Sequence, residues 1–227
     1  MSFSRATAPS LAPGPDELTA AMVGIGMRFA ARSAVDPNIE DTLFFASVEA
    51  MERDDLRSLA VLVTWFGVHA PWVNADRLTK LVDARGPLRV QVLWSALAHW
   101  QRKDRRFARL EAAYKGPRVD VPSAGSAFLI RKHGEDPRFA GGPVRVAANV
   151  LRDRREDVLD PRELARRHRA YRARIQMGPT YRADTWAALE QDPKLSAAEL
   201  ARRAYASFAT AWQVKREFEI LNGATPR

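Results

Sequence analysis

Ser58–Ala75 reads SLAVLVTWFGVHAPWVNA, eighteen residues without an aspartate, glutamate, lysine or arginine. Its reading decides between a membrane span and a buried helix. Eighteen residues just reach the length of a span. Gly67, His69 and Pro71 interrupt the second half. A proline removes a helix hydrogen bond that hydrocarbon cannot replace, and Asn74 adds a polar cost. The stretch therefore predicts a buried helix of about 12 residues, then a turn and a second helix. No membrane is expected as a partner.

Working outward, helical spacing continues on both sides. Asp16–Ser33 carries Leu18, Met22, Ile25, Met27 and Phe29 with helical period. Gly24 and Gly26 inside it lack the third glycine and preceding strand of a phosphate loop, and are read as points of close helix packing. Asn38 is placed to cap a helix whose first turn holds Glu40 and Asp41 and whose Leu43, Phe44, Val48 and Met51 point inward. Asp54–Val68, Asn74–Asp83 and Pro87–Arg102 repeat the three- and four-residue apolar spacing. The short breaks between them imply antiparallel neighbours. Trp65 and Trp94 stand 29 positions apart, and His69 and His99 stand 30 apart. That fits either a degenerate helix-hairpin repeat or an irregular bundle, and the bundle is the plainer reading.

The whole chain has 227 residues, 46% of them hydrophobic, with 36 Lys+Arg against 27 Asp+Glu and a net charge of +9. That is enough apolar material for a core without a staple. With no cysteine, disulfides, thiol nucleophiles, cysteine-ligated zinc and iron–sulfur centres are excluded. The positive balance favours partners bearing phosphate or other acidic groups. Residues 1–14 are Pro-, Ser- and Ala-rich without an apolar leader segment, and predict a disordered tail on a cytoplasmic protein.

The remaining chain divides by composition. Residues 15–114 read as an N-terminal helical domain. Residues 115–159 are dense in proline and glycine and read as a partly ordered connector. Within it, Ser126–Lys132 is expected as a short strand and Val144–Leu151 as a strand or short helix. Residues 160–227 read as a C-terminal helical domain. Asp160-Pro161-Arg162-Glu163 has the acid–proline–glutamate grammar of a helix start. That helix is expected to reach Met177, where Gly178-Pro179 stops it. Its apolar face would be Leu164, His168, Tyr171 and Ile175. Thr180 is placed to cap a helix to Glu190, Ser196 a short one to Ala204, and Ser207 a final one to Leu221. The fold class expected is all-α.

The last three of these helices carry the functional signal. Leu195–Arg216, LSAAELARRAYASFATAWQVKR, resembles the helix-turn-helix of bacterial DNA-binding regulators and antitoxins. Ala201 is small where two helices would cross. Leu200, Ala204, Ala211 and Val214 take the inward positions. The resemblance covers the C-terminal ~45 residues only. It implies a recognition helix with Ser207, Thr210, Gln213, Lys215 and Arg216 at the DNA. Two departures stand out. The turn holds Tyr205 where such motifs carry glycine for a positive φ. Phe208 and Trp212 occupy places where groove-reading polar residues are common, and are expected to pack against Trp186 or Tyr181 instead. The plainer alternative is a three-helix bundle with no reading role.

Charge by segment is −4 for residues 1–60, +6 for 61–120, +6 for 121–180 and +1 for 181–227. The reading head is almost neutral. The cations lie in Arg102–Arg109 and in Arg152–Arg174. Arg162, Arg166 and Arg169 are assigned to phosphate contacts along the helix after Asp160, with a solvated face as the alternative. His133-Gly134-Glu135-Asp136 places a histidine beside two acids, but reads as a polar loop. The other histidines read as core residues. No cofactor, metal or catalytic motif is expected, and the chain is read as non-enzymatic. Two functions remain. One is a double-stranded-DNA-binding regulator or antitoxin. The other is a protein–protein adaptor with loose nucleic-acid contact.

Overall fold

The computed structural model describes residues 12–223, so most of the expected N-terminal tail lies outside the described residues. Twelve α-helices and one two-stranded sheet occur among the described residues. The fold is all-α, as the apolar spacing implied.

Helix α1 (Pro15–Gly24) leads to α2 (Ile39–Glu52), α3 (Leu56–His69), α4 (Ala75–Arg85), α5 (Leu88–Trp100) and the single turn α6 (Ala108–Glu111). Three of these helices begin on a side-chain cap. Asn38 accepts from the Asp41 amide, Asp55 from the Arg57 and Ser58 amides, and Asn74 from the Arg77 amide. Each satisfies a backbone donor that a helix start leaves open. Helix α2 touches α1, α3, α4 and α5. That is a bundle around a central helix rather than a stack of hairpins. Trp65 and Trp94 are both fully buried but make unlike bonds: Trp65 Nε1 donates to the Ile25 carbonyl at 2.7 Å and Trp94 Nε1 to Ser47 Oγ at 2.9 Å. No helix is long and apolar enough to cross a membrane among the described residues, and Ser58–Ala75 divides at His69 into α3 and a short 3-10 turn.

Four expectations need correction. The helical period over Asp16–Ser33 overruns the helix, which ends at Gly24, and Met27 bridges Val158 instead. Of the two glycines, Gly26 does sit at a helix contact, where a Cβ would lie 3.3 Å from Leu164 Cδ1 of the helix Pro161–Arg167 and from Leu159 Cβ, whereas Gly24 faces a loop. A Cβ on Gly24 would lie 2.6 Å from Pro37 Cγ and 2.8 Å from the Ala34 carbonyl oxygen. Ser126–Lys132 is not a strand but the start of helix α7 (Ser126–His133), launched from Gly125 at φ 79. Third, the stretch read as a connector packs into the main core. Val121, Phe139, Val144, Val146, Leu151 and Val158 share one buried cluster with α1 to α5. Strands β1 (Val119–Asp120) and β2 (Val144–Arg145) pair in parallel, and α7 lies in the crossover between them, as parallel pairing requires.

Fourth, the helix expected over residues 160–177 is two: α8 (Pro161–Arg167) and α9 (Arg169–Met177). His168 between them is extended, at φ −125 and ψ 110. Its Nδ1 accepts the Tyr171 amide at 3.2 Å and its Nε2 donates to the Pro37 carbonyl at 2.9 Å. The break lets Leu164, His168 and Tyr171 all reach the core, while Ile175 stays 44% exposed.

Candidate nucleic-acid interface

The C-terminal unit comprises α10 (Tyr181–Gln191), α11 (Ala197–Arg203) and α12 (Phe208–Leu221). Ala188, Leu189, Leu200, Ala211 and Val214 form its small core, with Trp186 and Phe218 against it. The inward positions are those the spacing assigned. Ser196 accepts the Glu199 amide while Glu199 accepts the Ser196 amide, a complete capping box. Ser207 accepts the Thr210 amide at 3.1 Å. Thr180 takes its N-cap position without a side-chain bond.

The turn between α11 and α12 has the backbone the motif needs. Tyr205 adopts φ 53, the left-handed region that usually calls for glycine. Its ring explains why tyrosine stands there. The Arg77 guanidinium lies 3.3 Å from the ring centroid, and Tyr205 Oη donates to Asp41 Oδ2 at 3.0 Å. Arg77 also donates to Asp41 and, at 3.3 Å, to Asn38 Oδ1. Burial pushes the Asp41 carboxyl up to about 6 despite the opposing pull of Arg77. The turn is thereby fastened to the N-caps of α2 and α4.

A second tie lies deeper. Arg174, expected among the surface cations, is buried. Its Nη1 and Nη2 donate to Glu40 at 2.7 and 2.8 Å, and its Nε and Nη2 to Asp184 at 2.7 and 2.9 Å. Burial disfavours the Glu40 charge, yet Arg174 and Arg77 outweigh it and hold its carboxyl below the ordinary range. The guanidinium thus joins α2, α9 and α10. Nothing within a few residues of Arg174 marks this, because Glu40 stands 134 positions away. Tyr181 Oη adds a bond to Asp76 Oδ2 at 2.8 Å. Beside these ties a cleft of about 260 Å³ opens, lined among others by Asp36, Asp41, Arg169, Arg203 and Tyr205.

The expected reading residues divide on inspection. Ser207 and Gln213 are exposed, and Gln213 Nε2 donates to Glu217 Oε1 at 3.2 Å. Thr210 is half-buried, its hydroxyl 2.8 Å from that of Ser207. Arg216 is exposed, 5.7 Å from the Trp212 ring centroid. Lys215 is not available: its Nζ donates to the Leu195 carbonyl at 2.7 Å and lies 3.6 Å from Glu219. Phe208 and Trp212 do not pack inward. They are 60% and 51% exposed, because Trp186 is already covered by Phe218 at 5.1 Å and Tyr181 is turned to Asp76.

The expected phosphate-binding residues also divide. Arg162 and Arg166 are exposed, with Arg167 beside them, and have no ion-pair partner among the described residues. Arg169 is bound to Asp36. In the earlier cluster, Arg106 folds back onto Asp104 at 2.5 Å and Arg109 lies 3.5 Å from Asp76. The acids near His133 are structural: Glu135 is paired with Arg118, and Asp136 with Arg138. Histidine, aspartate and glutamate form no cluster fit for a metal ion among the described residues. Comparisons with protein families, with curated proteins and with solved structures found no match.

Proposed function

We infer that this chain is a non-enzymatic, double-stranded-DNA-binding protein, a cytoplasmic regulator or antitoxin of the bacterial helix-turn-helix kind. The observation that carries the reading is the left-handed turn at Tyr205 between two capped helices, with the outer side of α12 uncovered. In this reading Ser207, Thr210, Gln213 and Arg216 meet the groove. Arg162, Arg166 and Arg167 supply sequence-independent attraction to phosphates. Lys215 and Arg169 drop out, since each is already bound within the chain.

Titration against duplex DNA at several salt concentrations tests this. A log–log slope steeper than about −4 corresponds to roughly five phosphate contacts. Arg166→Ala should weaken all sequences alike, whereas Gln213→Ala should change which sequence is preferred. An absence of binding at about 50 mM salt would sink the reading. The exposed Phe208 and Trp212 favour a second reading, in which α12 docks a protein partner and the chain is an adaptor.

A further inference from the structure

The outer side of α12 is unusual for a groove reader. Phe208, Trp212, Arg216 and Ile220 recur every fourth residue, which puts them on one stripe of the helix. Phe208, Trp212 and Ile220 are all more than half exposed. Aromatic rings this open to water, on a helix whose own core is filled, ask for something flat to cover them.

The charges around the stripe restrict what that is. Every carboxylate on α11 and α12 is engaged within the chain. Glu199 accepts from the Ser196 amide and hydroxyl at 2.9 and 2.6 Å. Glu217 lies 2.5 Å from Arg182, and Glu219 lies 3.6 Å from Lys215. Arg216, on the stripe itself, is exposed with no ion-pair partner among the described residues. The face is therefore apolar, aromatic and cationic, without a free acid. A second copy of the chain would bring the same cations against each other, with no carboxylate to offset them. Nucleotides are complementary on both counts: each has a base with a π face for a ring and a phosphate for a guanidinium.

Spacing fits as well. Four residues of α-helix rise ~6 Å, and two steps of stacked bases rise ~6.8 Å. The anchors of Phe208 and Trp212 are thus spaced to hold one base between two rings. Bases inside an intact duplex are covered on both faces by their neighbours and must be unstacked at a cost, whereas an unpaired base offers its face more cheaply. Resting on the DNA-binding reading above, we propose that α12 recognises unpaired bases within a duplex, with Trp212 and Phe208 as the stacking platform and Arg216 on the flanking phosphate. The ligand class is duplex DNA carrying a bulge, mismatch or melted segment.

The test compares the full-length chain on two probes of equal length, a perfect duplex and the same duplex with a short central mismatched bubble. Fluorescence anisotropy reads both affinities. The wild type should bind the bubble about tenfold more tightly, the effect of stacking one base. Trp212→Ala should bring the ratio of the two affinities to about one, and Trp212→Phe should retain most of the preference. Trp212 is exposed, so neither change disturbs the core. Equal affinity of the wild type for both probes overturns the stacking inference and leaves the DNA-binding reading standing. A preference that survives in Trp212→Ala overturns it also. Binding to neither probe overturns both.

Discussion

His69 shows how much one buried side chain settles. The Leu159 carbonyl, 3.1 Å from Nε2, only accepts, so Nε2 carries the proton. Nδ1 then accepts from Tyr171 Oη at 2.6 Å. A second ring proton would displace that donor. Burial accordingly pushes His69 down to about 4, from an ordinary 6.5. The neutral form is favoured in the folded state, so the contribution is complete above pH 6.5 and is lost as pH falls towards 4. It amounts to about 3 kcal/mol. Asp41, pushed up to about 6, works with the opposite sign over an overlapping range. The informative measurement is therefore the difference in urea stability between wild type and His69→Gln at pH 7, 5.5 and 4. That difference should shrink with acid, and a constant difference would sink the account. Core placement of His69 was legible from its aromatic neighbours. The burial of Arg174 was not, because local sequence presents it as one more arginine on a basic helix.

Among the elements, helix starts were the most legible part of the chain. A cap acts across two or three residues, so Asn38, Asp160, Ser196 and Ser207 announce themselves without help from the rest of the fold. Helix ends were less so. Apolar spacing continues past Gly24 because Ile25 and Met27 stay buried in the main core after the helix has ended, Met27 bridging Val158. Helix α7 hides because eight residues between glycines suit a strand equally well. The break at His168 depends on Pro37 and Asp36, which lie more than 130 positions away. Ser207→Ala should cost about 1 kcal/mol and speed amide exchange in the first turn of α12. Ser196→Ala should cost at least as much, since it removes half of a reciprocal pair. Unchanged exchange at Thr210 in Ser207→Ala would show that the bond contributes nothing.

For the molecule as a whole, the division into two helical parts joined by a connector misjudges how the chain is held together. Proline and glycine density hid six core residues between Val121 and Val158, each fixed by contacts far away in sequence. The boundary before the C-terminal unit is likewise bound by charge, through Arg174 and Arg77, rather than by linker length. Arg174→Met should lower unfolding stability by about 3–5 kcal/mol, because Glu40 and Asp184 are left buried without a partner. Adding Glu40→Gln and Asp184→Asn should recover part of it in the same urea titration. A loss no larger than that of a surface arginine would refute the role given to the bridge. The tyrosine in the turn has one more effect. With Tyr205 and Arg174 both clamped, the final three helices tumble with the rest of the described residues as a single rotor. Tyr205→Gly would release the turn from Asp41 and Arg77 and leave the head held by the Arg174 bridge and the Tyr181–Asp76 bond. Fewer ties would then set the angle at which α12 projects from the bulk of the molecule.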